Sequence, residues 1–420
     1  MAAHFKELIE AANKKSMQRI LDAQPTWVDV QPAREFIPGF ADNLILIAGP
    51  TLDVKEAKTP TRNSICGAAV HEGLAKDMAQ AWQMVQAGEI IVEPLQGHLS
   101  AGGAGYAVSA STPVQVALDP LSGARGCCAF QEGNSPESLR WGMYNAAIEK
   151  KLTWLREELG PVLGAAIRSS EGINIRNILA RAESMGDENH SRQVAASGLL
   201  LQQLIPLVMD VNCAEKTRNE VVKFLCGNER FFLHIFIAGV VAVMEAAKNV
   251  EYSTVIVGFG GNGTDFGIKV SGMGDEWFSA PCPSSKGMLL NPEWTEADTS
   301  RYFGDSCIVE TYGFGGPSAA AGPMVVRLYG GNFDDAMQRT EDYREISLGS
   351  HDWAPIPWMG YQGPPVGIDI RKVIATGIAP TIHGGIGHVN GGQAGAGAMI
   401  VPMECFVKAL KAFGKKYNIG

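Results

Sequence analysis

Val255-Ile-Val-Gly258-Phe-Gly260-Gly261-Asn262-Gly263-Thr264-Asp265-Phe266-Gly-Ile268-Lys-Val270 is the stretch on which the fold class turns. Its glycines satisfy G-x-G-x-x-G after a strand-like run, which is how a dinucleotide-binding fingerprint begins. That fingerprint needs a helix opening at its third glycine, so that a pyrophosphate meets the helix N-terminus. Here Phe266, Ile268 and Val270 instead alternate with a period of two, which belongs to a strand. No ribose-binding acid follows at the expected distance. The stretch predicts a hairpin whose turn is lined by backbone N–H groups. Asn262 and Asp265 either face a ligand from that turn or simply close it, as Asn and Asp commonly do.

Working outward, short strands between glycine-rich turns run on to Met324–Tyr329, and a final helix is predicted over 402–417. On the N-terminal side the texture changes: helical periodicity dominates about 115 residues up to 249, broken at Gly160-Pro161, Gly172, Gly186 and Pro206. Ser135-Pro136 predicts a helix opening, a capping hydroxyl followed by proline, and places Arg140 on that helix. The run from Phe231 to Met244 is 14 residues long and apolar apart from His234, too short for a bilayer and expected as a buried helix. Further upstream, a helix over 1–22, a strand at Asn43–Ala48, a long helix over 64–87, and strands at 89–95, 114–118 and 125–130 make a mixed unit. The predicted fold class is α+β multidomain: two mixed α/β domains, 1–132 and 251–420, with a mostly α-helical domain, 133–250, between them.

A chain of 420 residues exceeds what one hydrophobic core usually serves, and 46% apolar with 19% charged residues is an ordinary globular balance. A formal net charge of −9 with no basic stripe among aromatics excludes an extended nucleic-acid interface. MAAHFKELIEAANKK at the N-terminus is an amphipathic helix carrying acids, not a signal peptide, so a cytoplasmic, membrane-free setting is expected. The eight cysteines form no C-x-x-C pair, and Cys127 and Cys128 are expected as buried free thiols.

Four polar stretches are candidates for chemistry. In Met185-Gly-Asp187-Glu188-Asn-His190-Ser-Arg192, Asp187 is set to cap a helix and Glu188 with Arg192 falls at i, i+4 for an ion pair. His190 and Arg192 beside a helix N-terminus also make an anion site. Glu132-Gly-Asn134 with Arg140 sits at a domain junction, where an arginine fork holds a carboxylate or phosphate, or else a salt bridge. Asp305 and Glu310, followed by the glycines of 313–316, combine candidate general bases with oxyanion donors. His383-Gly384-Gly385-Ile-Gly-His388 is expected as a loop whose N–H groups cradle an oxyanion, with a histidine as acid or base. Its spacing matches no zinc signature, so no metal is assigned, and no cofactor is expected.

These segments stand in a distinctive order with Ala23-Gln-Pro25-x-Trp27-Val-Asp-Val-Gln-Pro-Ala33, Ala48-Gly-Pro50, Glu72-Gly-Leu-Ala75, Asn228-Glu-Arg-Phe-Phe232, Trp277-Phe-Ser-Ala-Pro281 and Pro402-Met-Glu-Cys405-Phe. The whole resembles the YahG/YlbE (AllG) family over nearly the full chain. The resemblance implies a subunit of oxamate carbamoyltransferase, which moves a carbamoyl group between oxalurate and phosphate to give oxamate and carbamoyl phosphate in allantoin catabolism. It implies partners too, an FdrA-like subunit and a third small subunit, and an oligomer. Gly261 stands where relatives tend to carry an arginine, so the expected substrate is a small amide or ureide of this type rather than oxamate alone. Taken together, Glu132, Asn134, Arg140, Asp187, Glu188, Arg192, Asn262, Asp265, His383, Gly384 and Gly385 are expected to bind substrate, and His190, Asp305, Glu310 and His388 to act as acid or base. An amidohydrolase of a cyclic or linear ureide, and a non-catalytic member of an FdrA-like complex, are the alternatives.

Overall fold

The computed structural model describes residues 2–419. After a first helix, Ala2–Asp22, the strands Arg125–Ala129, Pro113–Leu118, Thr26–Pro32 and Ile173–Asn174 lie in that order in an antiparallel sheet. A smaller sheet centres on Leu44–Ile47, parallel to Ile91–Pro94 and antiparallel to Ala107–Val108. The long helix expected over 64–87 is two helices, Thr59–His71 and Met78–Ala87. Gly73 at φ +80° ends the first, and Asp77 opens the second by accepting Gln80 N–H at 2.8 Å.

Phe231–Ala247 is the central helix of the molecule, with all but two of its 17 residues buried. It lies across Pro113–Leu118 and Arg125–Ala129, so its apolar run is packed on a sheet. Gly126 permits the approach, because a Cβ there would stand 2.6 Å from the carbonyl oxygen of Ala238. Among the described residues, no single helix is long and apolar enough to cross a membrane. The helices Ala146–Trp154, Gly160–Arg168, Ile175–Ser184, Val194–Asp210 and Glu215–Cys226 share one apolar core with the N-terminal sheet, joined by Phe130, Leu163, Leu200 and Phe236.

The stretch that decides the fold class forms the hairpin Ile256–Asn262 and Asp265–Val270, flanked by Phe278–Pro281 and Phe303–Gly304. Gly263 takes φ +87° in its turn, and Asn262 Oδ1 accepts the N–H groups of Thr264 and Asp265 at 2.9 and 2.7 Å. A second core lies under this sheet, built from Phe259, Phe266, Ile268 and the final helix Met403–Tyr417. A three-stranded sheet, Lys286–Leu289, Gln393–Ile400 and Thr381–Gly387, completes this half.

Three local expectations are corrected. Ser135-Pro136 opens no α-helix: the Glu132 carboxylate takes the N–H groups of Leu139 and Arg140, each at 3.0 Å, and tightens the chain into a 3-10 turn, Leu139–Trp141. The helix begins later, at Ala146, capped by Asn145. Met324–Tyr329 belongs to a 3-10 helix, Pro323–Tyr329, with proline at its start and Gly330 closing it at φ +80°. Residues 187–192 are a loop, not a helix, so Glu188 and Arg192 are not helical neighbours.

Candidate active site

The two cores meet at a narrow cleft of about 70 Å³, far below the roughly 300–1,000 Å³ of pockets for drug-sized ligands. Only a small molecule fits. One wall is the glycine loop at Gly103-Ala104, pressed against the 303–305 backbone: Asp305 N–H donates to Gly102 O at 2.8 Å, and a Cβ on Gly304 would stand 2.8 Å from Ala104 Cα. The opposite wall is the hairpin backbone at Gly384-Gly385, where a Cβ on Gly385 would meet the Trp141 ring at 2.5 Å. Two expected N–H nest residues therefore lie in the cleft, but on a strand rather than in a loop.

Arg140 reaches the cleft beside Arg230. It is almost fully buried, its Nε has no partner, and the guanidinium's one hydrogen bond among the described residues is a long one of 3.5 Å to Gly133 O. Burial pushes its pKa down to about 10 against the attraction of Glu132, and Arg230 pushes the same way. Burial likewise raises Glu132 above the usual carboxylate range, opposed by Arg140. The guanidinium also lies 5.6 Å from the ring centroid of Trp141, whose edge-to-face contact with Phe303 closes that corner. A buried guanidinium short of acceptors is a site waiting for an anion.

Across the cleft stands His190, 3% exposed, with Nδ1 2.7 Å from Glu310 Oε1 and Nε2 free of any protein partner. Glu310 comes from the 3-10 helix Ser306–Tyr312, and the same Oε1 accepts His383 N–H at 3.2 Å. Burial alone would depress His190, but the Glu310 charge and hydrogen bond, with Glu188, hold it above its ordinary value. Burial raises Glu310 to about 7, with His190 opposing. The two titrate as a pair that keeps a proton near neutral pH. Glu188 shapes the loop: its carboxylate accepts the N–H groups of His190, Ser191 and Arg192 at 3.2, 2.5 and 2.8 Å. His383 faces it at 3.4 Å, with Arg339 donating to His383 Nε2 at 3.0 Å, which directs the imidazole proton to Nδ1 and Glu188.

The remaining expected residues lie elsewhere. Asp187 caps helix Val194–Asp210 at a distance, accepting Ala196 N–H at 2.8 Å, and pairs with Arg192 at 3.3 Å in place of the expected Glu188–Arg192 pair. Asn134 is exposed and donates to Gly227 O. Asn262 closes its turn and donates to Pro50 O at 3.0 Å, with Asp265 beyond it; neither lines the cleft. Asp305 is buried behind the glycine loop, accepting Gly49 N–H at 2.7 Å with Oδ2 unpartnered, and burial pushes its pKa up to about 8. His388 lies past the strand end against Trp294, five residues from the buried His383. No cluster of three or more His, Cys, Asp and Glu side chains suits a metal among the described residues. Cys127 and Cys128 are buried free thiols as expected.

Ser306 stands in the polar stretch with Asp305 and Glu310 but was given no role, and sequence reasoning missed Arg230, Tyr302, Arg339 and Gln393. Arg230 stood within Asn228-Glu-Arg-Phe-Phe232 but carried no signal of its own, and the others lacked any local pattern.

The profile of the family described as "Oxamate carbamoyltransferase subunit AllG" matches residues 90–306. Oxamate carbamoyltransferase subunit AllG of Escherichia coli K12 is 35% identical over 417 residues, covering 98% of this chain and 99% of that one. Uncharacterized protein YahG of the same organism is 33% identical, covering 98% of this chain and 87% of its own length. A crystal structure of a conserved protein of unknown function from Enterococcus faecalis V583 superposes with a TM-score of 0.95 at 33% identity, covering 98% of this chain and 99% of the other. The chain belongs to the oxamate carbamoyltransferase subunit AllG family.

Proposed function

We propose that this cleft binds a small anion bearing a carbamoyl or amide group and serves carbamoyl transfer between phosphate and an amide or ureide of the oxamate and oxalurate type. The observation that carries the reading is Arg140, a buried and under-satisfied cation facing a histidine backed by a carboxylate. Arg140 and Arg230 would hold the phosphate or carboxylate. In the direction that makes carbamoyl phosphate, a phosphate oxygen attacks the ureide carbonyl carbon, the C–N bond breaks, and the departing amide nitrogen takes a proton from His190. In the reverse direction the amide nitrogen attacks, the C–O bond to phosphate breaks, and neutral His190 accepts the proton. The cleft's size supports substrates of this class. The name of the E. coli relative, a subunit, supports function within a complex, in which we place an FdrA-like chain and a third small subunit.

The test is phosphate release from carbamoyl phosphate with oxamate as acceptor, run with the chain alone and with its co-encoded partners. Activity lost in His190→Ala and Arg140→Met, in either setting, supports the reading. Full activity in both variants overturns it. Ureide hydrolysis without phosphate dependence would point to an amidohydrolase instead.

A further inference from the structure

Arg140, Arg230 and protonated His190 offer the cleft only donors, and a ligand satisfied by them alone would be a plain anion. Two other groups change that. Gln393 heads the strand Gln393–Ile400 and is fixed by backbone: its N–H donates to Pro136 O at 2.8 Å, and that of Gly392 to Trp141 O at 2.8 Å. Its side-chain nitrogen donates to Gly395 O at 3.0 Å. A carbonyl accepts only from the NH2 end, so this bond fixes the amide orientation and leaves Oε1 with no protein partner. The residue lines the cleft next to Gly385, whose missing side chain leaves it uncovered; a Cβ there would lie 3.5 Å from the Gln393 nitrogen. Ser306 lines the cleft from the helix that also carries Glu310, and its Oγ lies beside the Tyr302 hydroxyl with lone-pair capacity left to accept from a ligand. Gln131, by contrast, is already used: its Oε1 accepts Gly133 N–H at 2.6 Å and Asn228 Nδ2 at 2.7 Å.

We propose that Gln393 Oε1, with Ser306 Oγ, receives the N–H groups of the ligand's carbamoyl or amide end and so makes the cleft select amide-bearing anions over plain ones. This rests on the anion-cleft reading above. Donors and acceptors lining the same small space suit one ligand with an anionic part and an NH2 part. A methyl group in place of NH2 would leave both acceptors unpaired, which is how such sites reject an isostere.

The experiment is calorimetric titration of the full chain with two isosteric pairs, each differing only in NH2 against CH3: oxamate with pyruvate, and carbamoyl phosphate with acetyl phosphate. The wild type is expected to prefer the NH2 member of at least one pair by about tenfold, and that pair tells which ligand the acceptors meet. Gln393→Leu and Ser306→Ala should bring the ratio toward one while affinity for the CH3 member holds within about twofold. Ser306→Ala gives up at most a contact with the Tyr302 hydroxyl, so that variant keeps the proposal testable even if Gln393→Leu loosens the hairpin. Equal binding within both pairs by wild type overturns the proposal, as does a preference that survives both variants. Failure of the underlying reading is separate: wild type would then bind neither inorganic phosphate nor any of the four ligands.

Discussion

Exchanging Arg140→Met together with Glu132→Gln is expected to raise the thermal stability of the ligand-free protein while abolishing its response to phosphate. The magnitude follows from burial. The guanidinium falls from the ordinary 12.5 to about 10 even with Glu132 nearby; at ~1.4 kcal/mol per pH unit, holding this charge in the empty cleft costs roughly 3 kcal/mol. A depressed cation carries that cost at every pH below the folded value, so it is present in full at neutrality. Methionine removes it and forfeits the contact with Trp141, about 1 kcal/mol, while the Glu132→Gln half loses one turn hydrogen bond, about 1 kcal/mol more, for a net gain of roughly 1 kcal/mol. Arg140→Met alone behaves differently, because it leaves Glu132 buried without its counter-charge; the paired exchange replaces that acid with a neutral amide whose single oxygen accepts one of the two turn N–H groups. The assay is thermal unfolding in buffer free of phosphate and carboxylates, then with phosphate added. Ligand at a hundred times Kd stabilises by about 2.7 kcal/mol, so wild-type Tm should climb and the double variant's should stay flat. A double variant that melts below wild type yet still responds to phosphate would make Arg140 a structural cation and refute the reasoning.

Glu310→Gln removes the charge that outweighs burial at His190, so the imidazole should titrate below 6.5, as read by NMR, and turnover near neutrality should fall by about 10²–10⁴. The sign for stability follows as well: with the folded His190 raised, its contribution is full below pH 6.5 and lost as pH climbs through the folded value, and the variant should lack that decline. Asp305→Asn should stabilise progressively from pH 4 to 8, since an acid raised from 3.8 to about 8 loses stability across that window, reaching several kcal/mol in order of magnitude at pH 8; equal Tm differences at pH 4 and pH 8 would contradict this. Glu188→Gln should speed hydrogen exchange at His190, Ser191 and Arg192, whose N–H groups its carboxylate holds, with a loss of turnover that phosphate affinity does not share.

The hairpin at 256–270 was legible because strand period and helix period cannot both fit Phe266, Ile268 and Val270. The buried helix at 231–247 was legible because nothing polar but His234 interrupts its run from Phe231 to Met244. Arg140 was singled out from the sequence and lines the cleft, yet its helix was not there, because Glu132 competes for the same N–H groups that a helix start would leave free. The Met185–Arg192 stretch failed in the same way: Glu188 reads as a first-turn helix acid, but its carboxylate folds three successive N–H groups around itself, and Asn189 adopts φ +63° to allow it. Gln393 had no local signal at all, and Ser306 stood in a polar stretch that gave it no role of its own. Their meaning comes from which of their atoms is left unpaired, and pairing is a property of residues far away in sequence.

The same reasoning explains how a chain of net charge −9 builds a cationic cleft. The acids nearest the site do not project their charge into it. Glu188 and Glu132 are tied up by backbone N–H groups, burial biases Glu183 and Asp305 toward the protonated form, and Glu310 is spent on His190. What reaches the ligand is then chiefly the charge of Arg140 and Arg230, with the His190–Glu310 pair offering a proton rather than a net charge. Formal charge counts groups, whereas local potential depends on which groups remain ionised and unpaired after folding. Stability pays for that arrangement: each raised acid and the depressed Arg140 lower the free energy of folding in the empty state. A purely structural junction would not keep so many strained ionisable groups around one small cavity, and that is why the cost itself argues for a ligand.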